Sequence, residues 1–238
     1  MGQKKLIRFE ELKTFSNVRE FPTDAAGNWH HYFGNSNPIT LELACGKGEV
    51  AIGLGQLYPN RNFIGVDIKG NRIWVGARKA QQESLTNVAF LRTQIEQVAT
   101  YFSPGEVQEI WITFPDPQLR FSKAKKRLTH PRFLRLYQQF LSPSGKIHLK
   151  TDSPALYQFT KLVLEHYQCR IHIDVDNVYA QREVSADLKI KTHYESLDIA
   201  GSNRIHYLSF SIPSSIPSTE KDLSFKEKLA QHETTTEN

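Results

Sequence analysis

Polar side chains recur just after the apolar runs of this sequence, where predicted strands end. They follow five successive runs, at Glu42, Asp67, Gln94, Asp116 and Asp152. If these strands are parallel, their carboxyl ends share one edge of the sheet, and open α/β sheets bind their ligands at that edge. Helix capping is the alternative explanation, since Asp is a good cap. We expect the five side chains to line one cleft.

A glycine-containing turn follows the first of these runs, at Gly46 and Gly48. Glycine at a strand-to-helix turn lets the backbone approach a ligand where a Cβ would collide. The dinucleotide fingerprint G-x-G-x-x-G has a third glycine, but this chain has Ala51 at that position. The turn therefore predicts a cofactor site and weighs against a nicotinamide dinucleotide.

Two carboxylates indicate the chemistry of that cofactor. Asp67 follows Gly48 by nineteen residues, at the place where an acid accepts both hydroxyls of an adenosine ribose. Glu42 would repel a pyrophosphate but suits an ammonium group. S-adenosylmethionine carries a ribose, an amino-acid end and a cationic sulfonium, so its make-up fits both acids. Taken singly, Glu42 is also explained as a surface acid and Asp67 as a helix cap.

Asp116 stands between two prolines and just ahead of a basic run. Pro115 and Pro117 restrict the backbone on both sides, so we expect the carboxylate to be held in a rigid turn. The net charge of the chain is +5, yet seven basic residues and no acid lie between Gln118 and Arg135. Such a block is typical of a protein with a polyanion partner, because each neutralised phosphate releases counterions; a solvated helix face is the alternative. The seven are Arg120, Lys123, Lys125, Lys126, Arg127, Arg132 and Arg135.

The alternation of apolar runs and helical patterns predicts an α/β fold, with a doubly wound, mostly parallel, seven-stranded sheet and helices on both faces. The predicted strands are 39–43, 62–66, 88–92, 109–114, 146–150, 170–175 and 205–210. Helices are indicated where apolar residues recur three and four positions apart. They are 50–57, 72–83, 95–102, 131–141 and 154–166.

We expect one domain over residues 29–212, an N-terminal extension over 1–28 and a loop or helical insert over 176–203. The last segment, 213–238, is rich in Ser, Thr, Glu and Lys, which predicts a disordered tail. Cys45 and Cys169 form neither a disulfide framework nor a metal-type spacing, so no metal is expected. Without a signal peptide or an apolar membrane span we expect a cytoplasmic protein. It would be a monomer or homodimer with no obligatory protein partner.

Several motifs together resemble those of the tRNA (guanine-N7)-methyltransferase family, whose members have a class I, Rossmann-like methyltransferase fold. They are LELACGKGE (41–49), FIGVDIK (63–69), FPDP with the basic run that ends in KKRLTHPRF (114–133), HLKTD (148–152) and KTHYE (191–195). The resemblance covers about residues 29–210. It implies S-adenosylmethionine as cofactor, tRNA as partner, and methyl transfer to N7 of a guanosine in the variable loop.

The resemblance also implies which residues make which contacts. Beside the turn glycines, the cofactor would contact Glu42, Asp67, Gln94 and Asp116. The target guanosine would be held by Asp152, Thr192, His193, Tyr194 and Glu195. Arg120 would occupy the position of a substrate-binding lysine. From the charge pattern, the RNA backbone would be contacted by Lys123, Lys125, Lys126 and Arg127.

Methylation at guanine N7 needs little acid–base chemistry. N7 has an in-plane lone pair and no proton, so no general base is required and alignment of the reactants becomes the main contribution. The ring becomes cationic as the methyl transfers, and Asp116 is the candidate catalytic carboxylate that would stabilise it. Asp152 and Glu195 would accept the N1–H and N2 amine of guanine. Tyr194 would stack on the base or be an ordinary core aromatic.

The chain departs from the usual residues of the family at Ala44, Gln94, Arg120 and the pair Gln118 and Leu119. Gln94 can still accept a hydrogen bond from the adenine amine, and Arg120 keeps the charge of the usual lysine but presents a planar fork. Two other functions stay open. A class I methyltransferase with a non-tRNA substrate would have the same cofactor-binding edge of the sheet, but it would not explain the block of basic residues. A non-catalytic RNA-binding protein on a nucleotide-binding scaffold would show no turnover.

Overall fold

The computed structural model describes residues 2–197, 204–216 and 220–236. Strands β1 to β8 are Val18–Glu20, Ile39–Leu43, Asn62–Asp67, Val88–Arg92, Val107–Thr113, Leu141–Thr151, Arg170–Val175 and His206–Ser211. Helices α1 to α9 are Gly2–Leu12, Trp29–Phe33, Glu49–Leu57, Gly70–Gln82, Pro131–Gln138, Pro154–His166, Ala186–Lys189, His193–Ser196 and Glu220–Thr236. Short 3-10 helices cover Ile95–Tyr101, Phe121–Lys126 and Val178–Ala180.

The eight strands form one sheet in the order β1-β4-β3-β2-β5-β6-β8-β7. The pairs among β1 to β6 are parallel, whereas β8 runs antiparallel to both β6 and β7. From β2 the chain adds β3 and β4 on one side, and it then adds β5 and β6 on the other. The order therefore reverses between β2 and β5, which is the position where doubly wound sheets open a ligand crevice.

The sheet separates two hydrophobic cores. Successive side chains of a strand point to opposite faces, so Ile110 and Ile112 pack into the core that contains α5 and α6, while Trp111 packs into the core that contains α3 and α4. Both faces of the central strands are buried, and β2 and β3 have no exposed residue. Helices on both faces thus fix the strand ends on which the site is built.

The sequence signals for helix starts are seen in α5 and α6. The Ser153 hydroxyl accepts the Leu156 N–H at 3.2 Å, with Pro154 in the first turn, as a hydroxyl cap followed by proline predicts. At α5, His130 Nδ1 accepts the Arg132 N–H at 3.2 Å, ahead of Pro131. Burial lowers the pKa of His130 to about 4, which keeps this nitrogen an acceptor at neutral pH.

All seven predicted strands are present, but the sheet has an eighth, β1, which pairs in parallel with β4. Its three residues, VRE, are too short and too polar to show an apolar period. The segment 2–20 lies at the sheet edge, where α1 packs on α4.

The expected disordered tail is wrong for residues 220–236, which form α9. This helix packs on α6 through buried Phe225 and Leu229. Arg135 pairs with Asp222, which also accepts the Tyr167 hydroxyl. The polar composition concealed these few anchoring contacts. No helix in the described ranges is long and apolar enough to cross a membrane.

Candidate functional site

A cleft of about 520 Å³ lies at the carboxyl ends of β2 and β5, where the strand order reverses. The predicted site residues that line it are Glu42, Gly46, Asp67, Asp116, Asp152, Thr192, His193 and Tyr194. Residues from the ends of four strands and from the segment before α8 therefore meet in one place, as the parallel sheet predicts.

Glu42, at the end of β2, is the buried carboxylate of the cleft, with 2% of its surface exposed. The Ala51 N–H donates to Oε2 at 2.8 Å, and the Thr113 hydroxyl donates to Oε1 at 3.2 Å. Burial raises the pKa of Glu42 from 4.5 to about 8, and the Ala51 hydrogen bond opposes that shift. A cation placed in the cleft would favour the carboxylate form, so the side chain fits an ammonium group.

The turn after β2 presents backbone to the cleft. Ala44, Gly46 and Gly48 have φ values of +55°, +58° and +68°, in the left-handed region that favours glycine. A Cβ at position 46 would meet nothing within 4 Å, whereas one at position 48 would lie 2.4 Å from Phe90 Cε1. Gly46 thus leaves space beside a ligand, and Gly48 allows the turn to pack on β4 instead of lining the cleft. Ala44 adopts a conformation that costs a non-glycine residue about 1 kcal/mol.

Asp67 joins the turns that follow β2 and β3. Its Oδ2 accepts the Gly46 N–H at 2.9 Å, and its Oδ1 accepts the Lys69 N–H at 2.8 Å. A carboxylate has about four acceptor positions, so about two are left for a pair of hydroxyls. Gln94 is exposed and occupies the N-cap position of the 3-10 helix Ile95–Tyr101, without a capping hydrogen bond from its side chain. It is not among the described residues that line the cleft, and its contact with the cofactor stays a prediction.

Asp116 occupies the constrained turn after β5. Phe114 and Gln118, on either side, have φ values of +47° and +48°. The Gln118 N–H donates to Asp116 Oδ1 at 3.0 Å, and the Phe114 N–H donates to the Lys150 carbonyl at 2.8 Å. The carboxylate is exposed at the cleft, with one oxygen held by the turn and the other directed at no hydrogen-bond donor in the described part of the chain.

The opposite side of the cleft is formed by Asp152, Thr192, His193 and Tyr194. Asp152 is half-buried after β6, and Tyr194 is 38% exposed. The Arg72 guanidinium lies 5.6 Å from the Tyr194 ring centroid. Tyr194 is therefore a partly exposed rim residue and not a core aromatic.

Glu195 does not line this cleft, and the structure corrects the expectation that it accepts guanine donors. Its side chain is 2% exposed. Lys150 Nζ donates to Oε2 at 2.8 Å, and the Tyr179 hydroxyl donates to Oε1. Thr192 and Glu195 also form a capping box around α8, with the Glu195 N–H 3.1 Å from the Thr192 hydroxyl. The carboxylate therefore anchors the segment that carries His193 and Tyr194.

Lys150 is a site-supporting residue that the sequence analysis missed. It is 1% exposed, and its Nζ also donates to the carbonyls of Leu188 and Ile190 at 2.8 and 3.1 Å. Burial lowers the pKa of Lys150, and Glu195 opposes that shift. A lysine inside the buried strand HLKTD and the spacing T-x-x-E of a capping box were the available signals.

The basic run divides into paired and exposed cations. Arg132 contacts Glu96 at 3.2 Å, and Arg135 contacts Asp222. Four other cations are exposed on or beside the 3-10 helix Phe121–Lys126, and they form no ion pair with any described residue. They are Arg120, Lys123, Lys125 and Lys126.

Arg127 does not belong with the exposed group, which corrects its expected contact with the RNA backbone. It is 3% exposed, and its guanidinium lies 4.4 Å from the Phe159 ring centroid. It donates to the carbonyls of Pro117, Gln118 and Leu119 at 3.1 to 3.3 Å. Arg127 thus fixes the turn that follows Asp116.

The site can bind a cation and a polyanion side by side. Two largely buried acids lie at the sheet edge, and four exposed cations lie beyond Asp116. A group held between them would have its developing positive charge next to a carboxylate, which is the arrangement that stabilises a cationic transition state.

Solved structures share this fold. A structure titled an antibiotic related methyltransferase matches with a TM-score of 0.59 and 16% identity, over 83% of this chain and 96% of that one. The crystal structure of a 30S ribosomal A1408 methyltransferase from an uncultured bacterium matches with a TM-score of 0.55 and 16% identity, over 77% and 92%. The fold is therefore that of methyltransferases.

Sequence comparisons are more specific. A family model described as "Putative methyltransferase" matches residues 36–207. A tRNA (guanine-N(7)-)-methyltransferase of Bacteroides thetaiotaomicron is 44% identical over 90% of this chain and 87% of its own length. The Porphyromonas gingivalis protein of the same name is 46% identical over 84% and 86%. On this similarity along most of its length, the chain belongs to the tRNA (guanine-N(7)-)-methyltransferase family.

Proposed function

We propose that this chain transfers a methyl group from S-adenosylmethionine to N7 of a guanosine in the variable loop of tRNA. The observation that carries the proposal is the meeting of two charge environments at Asp116. Buried acids line the cleft with this residue, and exposed cations that form no ion pair within the described ranges follow it along the chain. The names of the relatives support the same reaction.

The residues of the sheet edge fit the proposed cofactor. Glu42 would pair with its ammonium group, Asp67 would accept its ribose hydroxyls, and the backbone at Gly46 would lie against it. When bound, S-adenosylmethionine supplies an activated methyl group on a cationic sulfonium. The acids of the cleft favour such a cation through direct electrostatic attraction.

Asp116 would act on the guanine. N7 has a free lone pair, so the chain has no proton to remove and its residues mainly align the base. Alignment of the reactants can lower the activation barrier by on the order of 7 to 11 kcal/mol. The guanine ring gains positive charge as the new bond forms. The exposed oxygen of Asp116 would stabilise that charge more in the transition state than in the ground state.

Guanosine recognition would involve Asp152 and the rim formed by His193 and Tyr194. Asp152 would accept the N1–H and N2 amine, which are donors that adenine does not present in that arrangement. Tyr194 would stack on the base. Arg120, Lys123, Lys125 and Lys126 would contact phosphates of the tRNA backbone.

A labelled methyl-transfer assay tests the proposal. The purified chain is incubated with radiolabelled S-adenosylmethionine and bulk tRNA that lacks 7-methylguanosine. The expected result is label in 7-methylguanosine, and strand scission of the product by borohydride and aniline. Label without scission would indicate another target atom. Absence of label, with tRNA binding intact, would favour a non-catalytic RNA-binding protein.

A further inference from the structure

Two exposed apolar side chains lie inside the basic loop, the segment 118–126 that carries the exposed cations. Leu119 is 65% exposed and Phe121 is 40% exposed. Single exposed apolar residues are ordinary on protein surfaces, so exposure alone carries no conclusion. The position of these two is informative, because they flank Arg120 and follow Asp116 by only three and five residues.

The backbone under Leu119 is held in place. Arg127 donates to the Leu119 carbonyl at 3.3 Å and to the Gln118 carbonyl at 3.1 Å. The Gln118 N–H donates to Asp116 Oδ1 at 3.0 Å, and Gln118 has a φ of +48°. One connected set of hydrogen bonds thus joins the candidate catalytic carboxylate to the exposed leucine. The apolar side chain is presented from a fixed turn instead of from a mobile loop.

The charges around the loop indicate the chemistry of its binding partner. Lys123, Lys125 and Lys126 are exposed and make no ion pair within the described ranges, so a phosphate backbone can neutralise them. RNA bound at these cations would have its bases within reach of Leu119 and Phe121, which flank Arg120. Aliphatic and aromatic side chains of nucleic-acid-binding proteins insert between bases and stack on exposed ones.

We propose that Leu119 is an apolar wedge that fills the gap left in the base stack when the target guanosine turns towards Asp116, and that Phe121 packs on the neighbouring base. The inference rests on the proposed function. A purine that enters the cleft beside Asp116 must leave its stack in the folded RNA. Filling the gap lowers the free-energy cost of that step.

The test compares two substrates and three variants. Leu119→Ala and Phe121→Ala are measured against Leu57→Ala, a control whose side chain is 43% exposed at the last residue of α3. The substrates are folded tRNA and an unstructured single-stranded oligonucleotide with one guanosine. In a parallel binding assay, 2-aminopurine next to the target guanosine reports unstacking without turnover.

Leu119→Ala should lower kcat/KM on folded tRNA by about tenfold, in line with the loss of one stacking contact, and should leave kcat/KM on the oligonucleotide unchanged. Phe121→Ala should act in the same direction, and Leu57→Ala should alter neither. The 2-aminopurine signal seen on binding the unaltered chain should be reduced by Leu119→Ala at saturating protein.

An equal loss on both substrates would overturn the proposal, because it would indicate a general effect on the site. An undiminished 2-aminopurine signal would also overturn it, and would show that phosphate contacts alone displace the base. If the oligonucleotide is a poor substrate, the fluorescence result decides. Failure of the proposed function is a different result, since the unaltered chain would then form no 7-methylguanosine in tRNA.

Discussion

The acidic side of the cleft and the basic loop at its mouth expose their ionisable groups to water to different degrees. Glu42 and Asp67 are 2% and 7% exposed, and backbone N–H groups donate to both. Lys125 and Lys126 are exposed and unpaired within the described residues. A small cation is bound best by acids shielded from water, where electrostatic interactions are strong. A phosphate backbone is bound by cations that remain in solvent and exchange counterions.

Asp116 lies on the boundary between these two regions, and its replacement should have the largest effect. Asp116→Asn retains the shape but removes the charge that would face the cationic guanine ring. Loss of one preorganised electrostatic group lowers kcat by about 10²- to 10³-fold. Single-turnover rates and tRNA binding are measured together. Binding should be retained, and an unchanged rate would remove Asp116 from the chemistry.

Lys150 supports the recognition side, and its loss should be the next largest effect. Lys150→Met leaves Glu195 buried without its cation, which costs about 3–5 kcal/mol of stability, and frees the segment around Tyr194. We expect KM for tRNA to rise about tenfold while cofactor affinity stays constant. The control is the double variant Lys150→Met/Glu195→Gln, which removes both charges. Its thermal midpoint should recover and its KM for tRNA should not. Recovery of both would show that the Lys150–Glu195 pair contributes to stability alone and does not position the segment around Tyr194.

The raised pKa of Glu42 makes cofactor binding depend on pH. At neutral pH the free protein holds this carboxyl largely protonated, because its pKa is about 8. Binding of a cation deprotonates it, so affinity should rise as pH increases towards 8 and a proton should be released below that value. Calorimetry in buffers of different ionisation enthalpy measures this proton. Glu42→Gln should abolish the release and weaken binding by about tenfold or more.

The same shift affects the stability of the free protein in the opposite direction. The folded-state pKa of Glu42 lies above the ordinary value of 4.5. Its contribution to stability is therefore complete below pH 4.5 and is lost as pH rises towards 8. Glu42→Gln should thus raise the thermal midpoint at pH 8 and have little effect at pH 4.5. Equal shifts at both pH values would show that Glu42 does not titrate in this range.

Substitutions of the adjacent residues Lys126 and Arg127 distinguish a cation that contacts RNA from one that stabilises the loop. Lys126→Gln should weaken tRNA binding a few fold and lower the slope of log affinity against log salt by about 1. Arg127→Gln should leave that slope unchanged and lower the thermal midpoint, since the carbonyls of Pro117 to Leu119 lose their donors. Filter binding across salt concentrations and thermal unfolding measure both. A reduced salt slope for Arg127→Gln would indicate that Arg127 contacts the RNA backbone after all.

Ala44 should give the smallest effect. Its φ of +55° is relieved by glycine, so Ala44→Gly should stabilise the chain by about 0.5–1 kcal/mol. Ala80→Gly in α4 is the control for glycine at a helical position and should destabilise by at least about 1 kcal/mol, because glycine weakens a helix interior and the buried methyl group is lost as well. Thermal unfolding distinguishes the two variants. Destabilisation by Ala44→Gly would contradict the inference that the backbone at Ala44 is strained.

The acidic region was more predictable from sequence than the basic one. Strand ends converge in any parallel sheet, so Glu42, Asp67 and Asp116 could be placed together from the order of apolar runs alone. A charge run does not show which of its members face a partner and which are used inside the protein. Arg127 and Glu195 have the residue types of RNA and base contacts, yet each is used inside the protein, Arg127 by the carbonyls of residues 117–119 and Glu195 by Lys150. Short elements such as β1 were missed because three residues carry no period.

β1 has a consequence for solubility. Without β1, strand β4 would be the edge of the sheet and its outer backbone groups would be unpaired. Its sequence is VAFLR, and its first four residues are apolar and buried. Such an open, buried-type strand is a template for edge-to-edge association between molecules. β1 covers it with three residues, and the Glu20–Arg92 and Arg19–Asp24 pairs add charges along the new border. Residues 18–20 thus cover a strand edge that would otherwise favour association between molecules.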